Sequence, residues 1–194
     1  MDPYVYPGTN VLRNLRDIRD QDRLTQLEAD VTSRRVRQLS AKSKPGALDS
    51  AHVQSIHRYI FQDVYEWAGE FRTVNIARPG QFYFAFAEQI VPALGNTLAQ
   101  LQQERWLAGL DAPGFAGRAA HYMGELNAIH PFRDGNGRTQ REFIRQLALR
   151  NGFALSWSRI SRDQMYEASQ RSFARADNAG LAQVIQAALG SGTV

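Results

Sequence analysis

The chain has 194 residues, of which 43% are hydrophobic and 22% charged, and it contains no cysteine. This is the composition of an ordinary globular protein, and it excludes a disulfide framework or a thiolate metal site. The first ten residues lack the basic and apolar regions of a signal peptide, and no apolar stretch is long enough to span a membrane. We therefore expect a cytoplasmic protein with a single domain over residues 1–194.

The charge is biased towards arginine. The net charge is +4, and the 23 basic residues include only two lysines, Lys42 and Lys44. Arginine suits bidentate contacts with phosphate, which favours an anionic ligand or partner. Solvated helix faces are the alternative explanation for the same composition.

The predicted elements are mostly helical. Prolines and glycines predict an irregular arm over residues 1–19, and residues 42–46 are expected to form a loop. Residues 71–86 alternate with a period of two around Pro79-Gly80, which predicts a short β-hairpin. The fold class is thus mainly α, with one hairpin before the segment 130–141. Apolar residues recur at helical spacing in segments 20–39, 49–68, 87–106, 115–129, 138–151, 161–173 and 181–189.

Residues 130–141 carry the strongest functional signal. They read His-Pro-Phe-Arg-Asp-Gly-Asn-Gly-Arg-Thr-Gln-Arg. The sequence Gly135-Asn136-Gly137 begins a predicted helix, where unpaired backbone N–H groups and the helix dipole attract anions. Arg138 and Arg141 are three residues apart, so both project from one face of that helix.

Two further residues of this segment supply reactive groups. Asp134 offers a carboxylate, the kind of oxygen ligand that Mg²⁺ uses together with phosphate oxygens. Histidine titrates near neutral pH, so His130 is suited to act as a general base. Together these are the parts of a site that holds a nucleoside triphosphate with its metal and activates a hydroxyl against it.

The pattern His-Pro-Phe-x-Asp-Gly-Asn-Gly-Arg-x-x-Arg resembles the active-site motif of the Fic family, whose domains transfer AMP. Every specified position of that motif is present at residues 130–141. Residues 119–122 and the hairpin at 71–86, which is similar to the flap of the family, fit as well. The opening residues 2–8 are similar to those of small bacterial Fic toxins. The resemblance covers nearly the whole chain.

The resemblance implies a helical Fic fold that transfers AMP from ATP to a tyrosine, serine or threonine hydroxyl of a target protein. It implies that His130 deprotonates the hydroxyl and that Asp134 holds Mg²⁺. The backbone of Gly135–Gly137, with Asn136, would cradle the phosphates. Arg138 would bind the β-phosphate and Arg141 the γ-phosphate.

The flap has a predicted role in binding the target. An exposed strand edge can pair with an extended segment of another protein, which makes Val74, Asn75, Ile76 and Phe82 candidate docking residues. The alternative is a hairpin that only covers the core. By resemblance, Arg78, Gly80 and Gln81 at the tip would touch the nucleotide.

Trp157, beyond the motif helix, could stack on adenine, and its alternative role is packing in the core. The chain contains no P-loop sequence. Position 137 is glycine, whereas the kinase-like branch of the family, the death-on-curing toxins, carries lysine there. The resemblance therefore favours AMP transfer over phosphate transfer.

Many Fic proteins carry an inhibitory helix with the sequence Ser/Thr-x-x-x-Glu-Gly/Asn. Its glutamate forms an ion pair with the second arginine of the motif. No glutamate of this chain is followed by Gly or Asn. We therefore hypothesise a separate small antitoxin that supplies the glutamate in trans to Arg141. Similar toxins modify the ATPase subunits of gyrase and topoisomerase IV, which are the expected targets.

Other functions stay open on the sequence alone. The motif could transfer phosphate, UMP or phosphocholine. A non-catalytic binding module is a further alternative, which the intact His130 and Asp134 argue against. No direct binding of nucleic acid is expected, because the apolar face of residues 53–67 is too continuous to read a DNA groove. His121 and Glu125 lack a third metal ligand and are interpreted as structural.

Overall fold

A computed structural model describes residues 2–41, 46–77 and 82–193. It confirms a mainly helical fold. Short 3₁₀ turns occupy Ala87–Gln89, Arg105–Leu107 and Trp157–Arg159. None of the helices in the described ranges is long and apolar enough to cross a membrane. The helices are α1 (Gln21–Ser40), α2 (Ser50–Phe61), α3 (Ile90–Gln103), α4 (Ala112–Ile129), α5 (Asn136–Arg150), α6 (Arg162–Arg175) and α7 (Ala179–Ala188).

Helix α4 forms the centre of the core. It packs against α3, α5, α6 and α7. Its small side chains Ala119 and Ala120 let the neighbouring helices approach closely, while Phe115 and Tyr122 fill the spaces between them, and all four are fully buried. Because α5 also packs against α2, the loop between α4 and α5 is held between three helices.

The helix predicted over residues 49–68 is shorter than expected. Asp49 caps it as predicted, but α2 ends at Phe61. The amides of Val64 and Tyr65 both bond to the carbonyl of Phe61, and Gly69 reverses the chain with a φ of 88°. Trp67 is nevertheless buried. Buried side chains in these successive turns mimic helical spacing, which explains the error.

The region predicted as a hairpin contains little regular strand. Its two described limbs, residues 71–77 and 82–86, pair through one antiparallel bridge between Ala77 and Tyr83. One further backbone bond joins Phe84 N–H to the carbonyl of Ile76, at 3.1 Å. The turn predicted at Pro79-Gly80 and most of the loop at 42–46 lie outside the described residues.

A two-stranded antiparallel sheet occurs elsewhere and was not predicted. It pairs β1 (Phe153–Leu155) with β2 (Leu189–Thr193). Strand β1 follows α5 directly, after Gly152 with a φ of 77°. Both strands are too short for an alternating pattern to distinguish them from loops.

Candidate functional site

The motif begins where α4 ends. His130 adopts the left-handed conformation, with φ 49° and ψ 60°, and caps the helix by donating its N–H to the carbonyl of Leu126 at 3.0 Å. The side chain of Phe132 is fully buried and anchors the loop. The motif therefore leaves the core at a sharp turn whose position is set by the end of α4.

A side chain closes the loop onto itself. The Asn136 amide group donates to the carbonyl of Phe132 at 2.7 Å, and its oxygen accepts the N–H of Phe132 at 2.9 Å. Asn136 is only 2% exposed, so its backbone, rather than its side chain, faces the predicted phosphate cradle. Gly135 has a φ of 81°, and a Cβ there would lie 2.3 Å from the Phe61 ring. Glycine is therefore required at this point of the cradle.

The imidazole of His130 is half-buried and held on two sides. Its ring stacks on Phe84 of the flap, with centroids 3.7 Å apart. Its Nδ1 lies 3.3 Å from the carbonyl oxygen of Asn127. A carbonyl only accepts hydrogen bonds, so Nδ1 carries the proton in the neutral ring and the lone pair is on Nε2. This is the tautomer that a general base at Nε2 requires.

Asp134 is the candidate metal ligand. Burial, and next the charge of Glu28, raise the pKa of its carboxyl, while Arg138 acts in the opposite direction. The described ranges contain no group of three His, Asp or Glu side chains that could hold a metal ion by itself. A single carboxylate with phosphate oxygens and water fits Mg²⁺, because this ion keeps several waters. The donor set at Asp134 is therefore compatible with a magnesium–nucleotide complex.

The two motif arginines lie in different electrostatic surroundings. Arg138 forms an ion pair with Glu28 at 2.6 Å. Arg141 is half-buried, and none of the described residues forms an ion pair or hydrogen bond with its guanidinium. Burial lowers the pKa of Arg141, and the nearby charge of Arg138 lowers it further. An unpaired cation at this position is a natural binding site for an anion.

Trp157 lies beside Arg141, and its Nε1 donates to the Arg141 carbonyl at 2.9 Å. The two residues line a cavity of about 270 Å³ together with Ile160, Ser161, Arg162 and Met165. Trp157 is half-buried. It packs against the core and also forms one wall of this cavity. The structure thus places Trp157 and Arg141 at one cavity, although their predicted partners, the adenine and the γ-phosphate, lie at opposite ends of ATP.

A buried arginine helps to attach the flap to the motif. Arg72 is 2% exposed and donates to the carbonyls of Val74, Ala85, Ile129 and His130, at distances between 2.5 and 3.2 Å. The sequence contained no signal for this role, because a single arginine between polar and apolar residues is common.

The predicted docking residues differ in exposure. Phe82 is 76% exposed, whereas Val74 and Ile76 are half-buried. Asn75 is exposed, but its side-chain oxygen accepts the N–H of Ala87 at 2.8 Å. The predicted nucleotide contacts Arg78, Gly80 and Gln81 lie outside the described residues.

Three more residues support the site and were missed by sequence reasoning. Glu28 and Thr32 of α1 contact Arg138. His57 of α2 is fully buried and lies 3.0 Å from the carbonyl oxygen of Asp134. All three are distant from the motif in sequence. The only sequence signal was helical spacing, which puts Glu28 and Thr32, four residues apart, on one face of α1.

Comparison with known proteins agrees with this geometry. A profile of the Fic/DOC family matches residues 47–148. Protein adenylyltransferase VbhT of Bartonella schoenbuchensis is 46% identical over 172 residues, which are 89% of this chain and 36% of that protein. The chain thus spans about a third of that relative. A protein of Escherichia coli named "Probable protein adenylyltransferase Fic" is 39% identical over 87% of this chain and 83% of its own length.

Solved structures give the same result. The BepC protein of Bartonella tribocorum, with bound AMPPNP, superposes with a TM-score of 0.91 at 26% identity, over 98% of this chain and 97% of that one. An N-terminal Fic domain from Bartonella quintana, with bound ADP, gives 0.92 at 27% identity, over 96% of this chain and 94% of that one. The predicted fold and the predicted enzyme class, a nucleotidyltransferase, are confirmed. The chain belongs to the Fic/DOC family.

Proposed function

We propose that this protein transfers AMP from ATP to a tyrosine, serine or threonine hydroxyl of a target protein. The single observation that carries the proposal is the motif geometry. The base His130, held as its Nδ1–H tautomer, precedes the N-terminus of α5, where Arg141 has no anionic partner among the described residues. The adenylyltransferase names of the relatives support the choice of AMP.

In the proposed reaction, the Nε2 atom of His130 takes the proton of the target hydroxyl. The hydroxyl oxygen attacks the α-phosphorus of ATP, and the bond to the β-phosphate bridging oxygen breaks, so that pyrophosphate leaves. The backbone of Gly135–Gly137 cradles the phosphates, with the N–H groups of Asn136 and Gly137 as donors, because the N–H of Gly135 donates to the Asp134 carboxylate. Arg138 binds the β-phosphate and Arg141 the γ-phosphate. Mg²⁺ held by Asp134 would neutralise phosphate charge. Positioning and charge neutralisation of this kind supply most of the catalysis in phosphoryl transfer.

The surroundings of the nucleotide follow from the same proposal. Trp157 contacts the adenine, and the flap tip residues Arg78, Gly80 and Gln81 bind the nucleotide. The target segment lies along the flap at Val74, Asn75, Ile76 and Phe82. The half-buried and exposed side chains of this edge give an extended segment both apolar and polar contacts.

We further propose that the activity is toxic and is inhibited in trans. No glutamate of the chain is followed by Gly or Asn, and Arg141 has no ion-pair partner within the described ranges. A small antitoxin would place a glutamate on Arg141 and exclude the γ-phosphate. The proposed targets are the ATPase subunits of gyrase and topoisomerase IV, which places the reaction in the cytoplasm.

The test is transfer of label from ATP to purified gyrase and topoisomerase IV subunits, and to a bacterial lysate. With α-labelled ATP we expect labelled protein, and with γ-labelled ATP none. His130→Ala should reduce the rate by a factor of about 10² to 10⁴. Label from the γ position would identify a kinase. Absence of label from both positions would favour UMP, phosphocholine or a binding module.

A further inference from the structure

We infer that Glu28 on α1 is a positioning residue for nucleotide binding, which holds the guanidinium of Arg138 in place with the help of Thr32. Both residues lie before the segment matched by the family profile, which begins at residue 47. The inference rests on the proposed function, in which Arg138 binds the β-phosphate.

Arg138 is held from several directions. Its Nη2 donates to Glu28 at 2.6 Å, and its Nη1 donates to Thr32 Oγ1 at 3.0 Å. Its guanidinium carbon lies 4.6 Å from the centre of the Phe61 ring. These contacts use two of the five N–H bonds of the guanidinium, which leaves three for a phosphate. The side chain is therefore fixed before a ligand arrives, and less conformational entropy is lost on binding.

Glu28 is itself held by a second partner. The hydroxyl of Tyr65 donates a short hydrogen bond to the other carboxylate oxygen. Burial and the charge of Glu28 raise the pKa of Tyr65, so the phenol stays protonated and remains a donor. Glu28 thus connects α1, the turn after α2 and the first turn of α5.

The charges near Arg138 explain why this position needs a carboxylate. Arg138 and Arg141 carry like charges on one face of α5 and repel each other. Burial first, and then the charge of Arg138, lowers the pKa of Arg141. Arg138 also interacts electrostatically with Asp134, the proposed metal ligand. Without Glu28, the buried carboxylate of Asp134 would remain as an attraction for Arg138. Such a pair would withdraw both groups from the nucleotide, and Glu28 prevents this by pairing with Arg138 on the side of α1.

The experiment compares the affinities for ADP and AMP by titration calorimetry on the full chain. AMP lacks the β-phosphate, so misplacement of Arg138 should affect ADP alone. For Glu28→Gln we expect ADP binding to weaken about tenfold, the usual effect of losing a hydrogen bond to a charged group, and AMP binding to change less than about twofold. Asp30→Asn is the matched control, because Asp30 is an exposed acid on the same helix, and it should change neither affinity.

Thr32→Val provides an independent variant if Glu28→Gln does not fold. It should likewise weaken the binding of ADP more than the binding of AMP. Equal weakening of ADP and AMP would indicate a general structural effect and overturn the inference. Tighter binding of ADP would show that Glu28 competes with the phosphate, and would overturn it as well. If the unmodified protein bound neither nucleotide, the proposed function itself would fail.

Discussion

The two halves of the candidate site are built in different ways. In the motif half, residues 130–141, the loop is closed by contacts between near neighbours, such as those of the Asn136 side chain with the backbone of Phe132. In the flap half, the two limbs share a single bridge. The flap depends on Arg72, which bonds to Ile129 and His130, 57 and 58 residues away.

The difference corresponds to the two tasks proposed for these halves, catalysis at the motif and target docking at the flap. Reacting groups must be held within fractions of an ångström, and a loop closed by its own side chains and packed on the core provides this. A docking edge must instead leave backbone and side-chain groups available for another protein. Phe82 and Tyr83 are 76% and 61% exposed, and they lie on the flap.

The largest effect is expected at Gly135, where the motif is packed most tightly. Gly135→Ala would place a Cβ 2.3 Å from the Phe61 ring at a φ of 81°. We expect the free energy of unfolding to fall by about 3 kcal/mol, measured by urea denaturation. Gly137→Ala is the matched control, since its Cβ would meet only Arg141 Nη1, at 3.4 Å. The control should stay within about 1 kcal/mol of the parent protein. Similar losses in both variants would contradict a motif held by packing at Gly135.

A slightly smaller effect is expected at the attachment of the flap. Arg72→Met removes the donors to four carbonyls, and we expect a loss of roughly 2 to 3 kcal/mol in the free energy of unfolding. Hydrogen exchange should show where the structure loosens. The amide of Ala85, bonded to the carbonyl of Ala128 at 3.1 Å, should exchange faster. The amide of Phe132, which Asn136 protects, should not.

Arg19→Met serves as a control for Arg72, because Arg19 is exposed and its polar contacts among the described residues are with nearby Asp17 and the Tyr6 ring. It should leave the exchange of Ala85 unchanged. If Arg72→Met accelerated the exchange of the Phe132 amide as much as that of the Ala85 amide, the two halves would be one cooperative unit. The contrast between them would then not hold.

The smallest effect concerns His57, which joins the motif to the turn that precedes the flap. Its Nδ1 accepts the N–H of Gly69 at 2.8 Å, and its Nε2 donates to the carbonyl of Asp134 at 3.0 Å. Burial lowers the pKa of His57 to about 3. Below pH 6.5, His57 is therefore protonated in the unfolded chain but stays neutral in the folded protein. The free energy of unfolding falls as the pH drops from 6.5 towards 3. Above pH 6.5 this contribution is constant.

At pH 5 we expect His57 to have lowered the free energy of unfolding by about 2 kcal/mol relative to pH 7.5. The raised pKa of Asp134 acts in the opposite direction, so the difference between the parent protein and His57→Gln isolates the histidine. The variant should lose less stability on acidification, as measured by urea denaturation at both pH values. Parallel losses in the two proteins would exclude a neutral, buried His57.

Sequence reasoning succeeded where contacts are local. The period of apolar residues located α1, α4 and α5 to within about three residues. It placed the end of α2 wrongly, because the turns that follow Phe61 bury side chains at helical spacing. It also overestimated the strands of the flap and missed β1 and β2, whose pairing joins Phe153 to Thr193.

The sequence by itself determined which functional groups meet at residues 130–141, because the histidine, the carboxylate, the glycines and the arginines follow one another and a helix start orients them. The tertiary structure alone decided which arginine is paired. Arg138 reaches Thr32 and Glu28, 106 and 110 residues earlier in the chain, whereas Arg141 has no such partner in the described parts of the chain. Helix spacing determines which residues share a face, but only packing determines which face of another helix lies opposite.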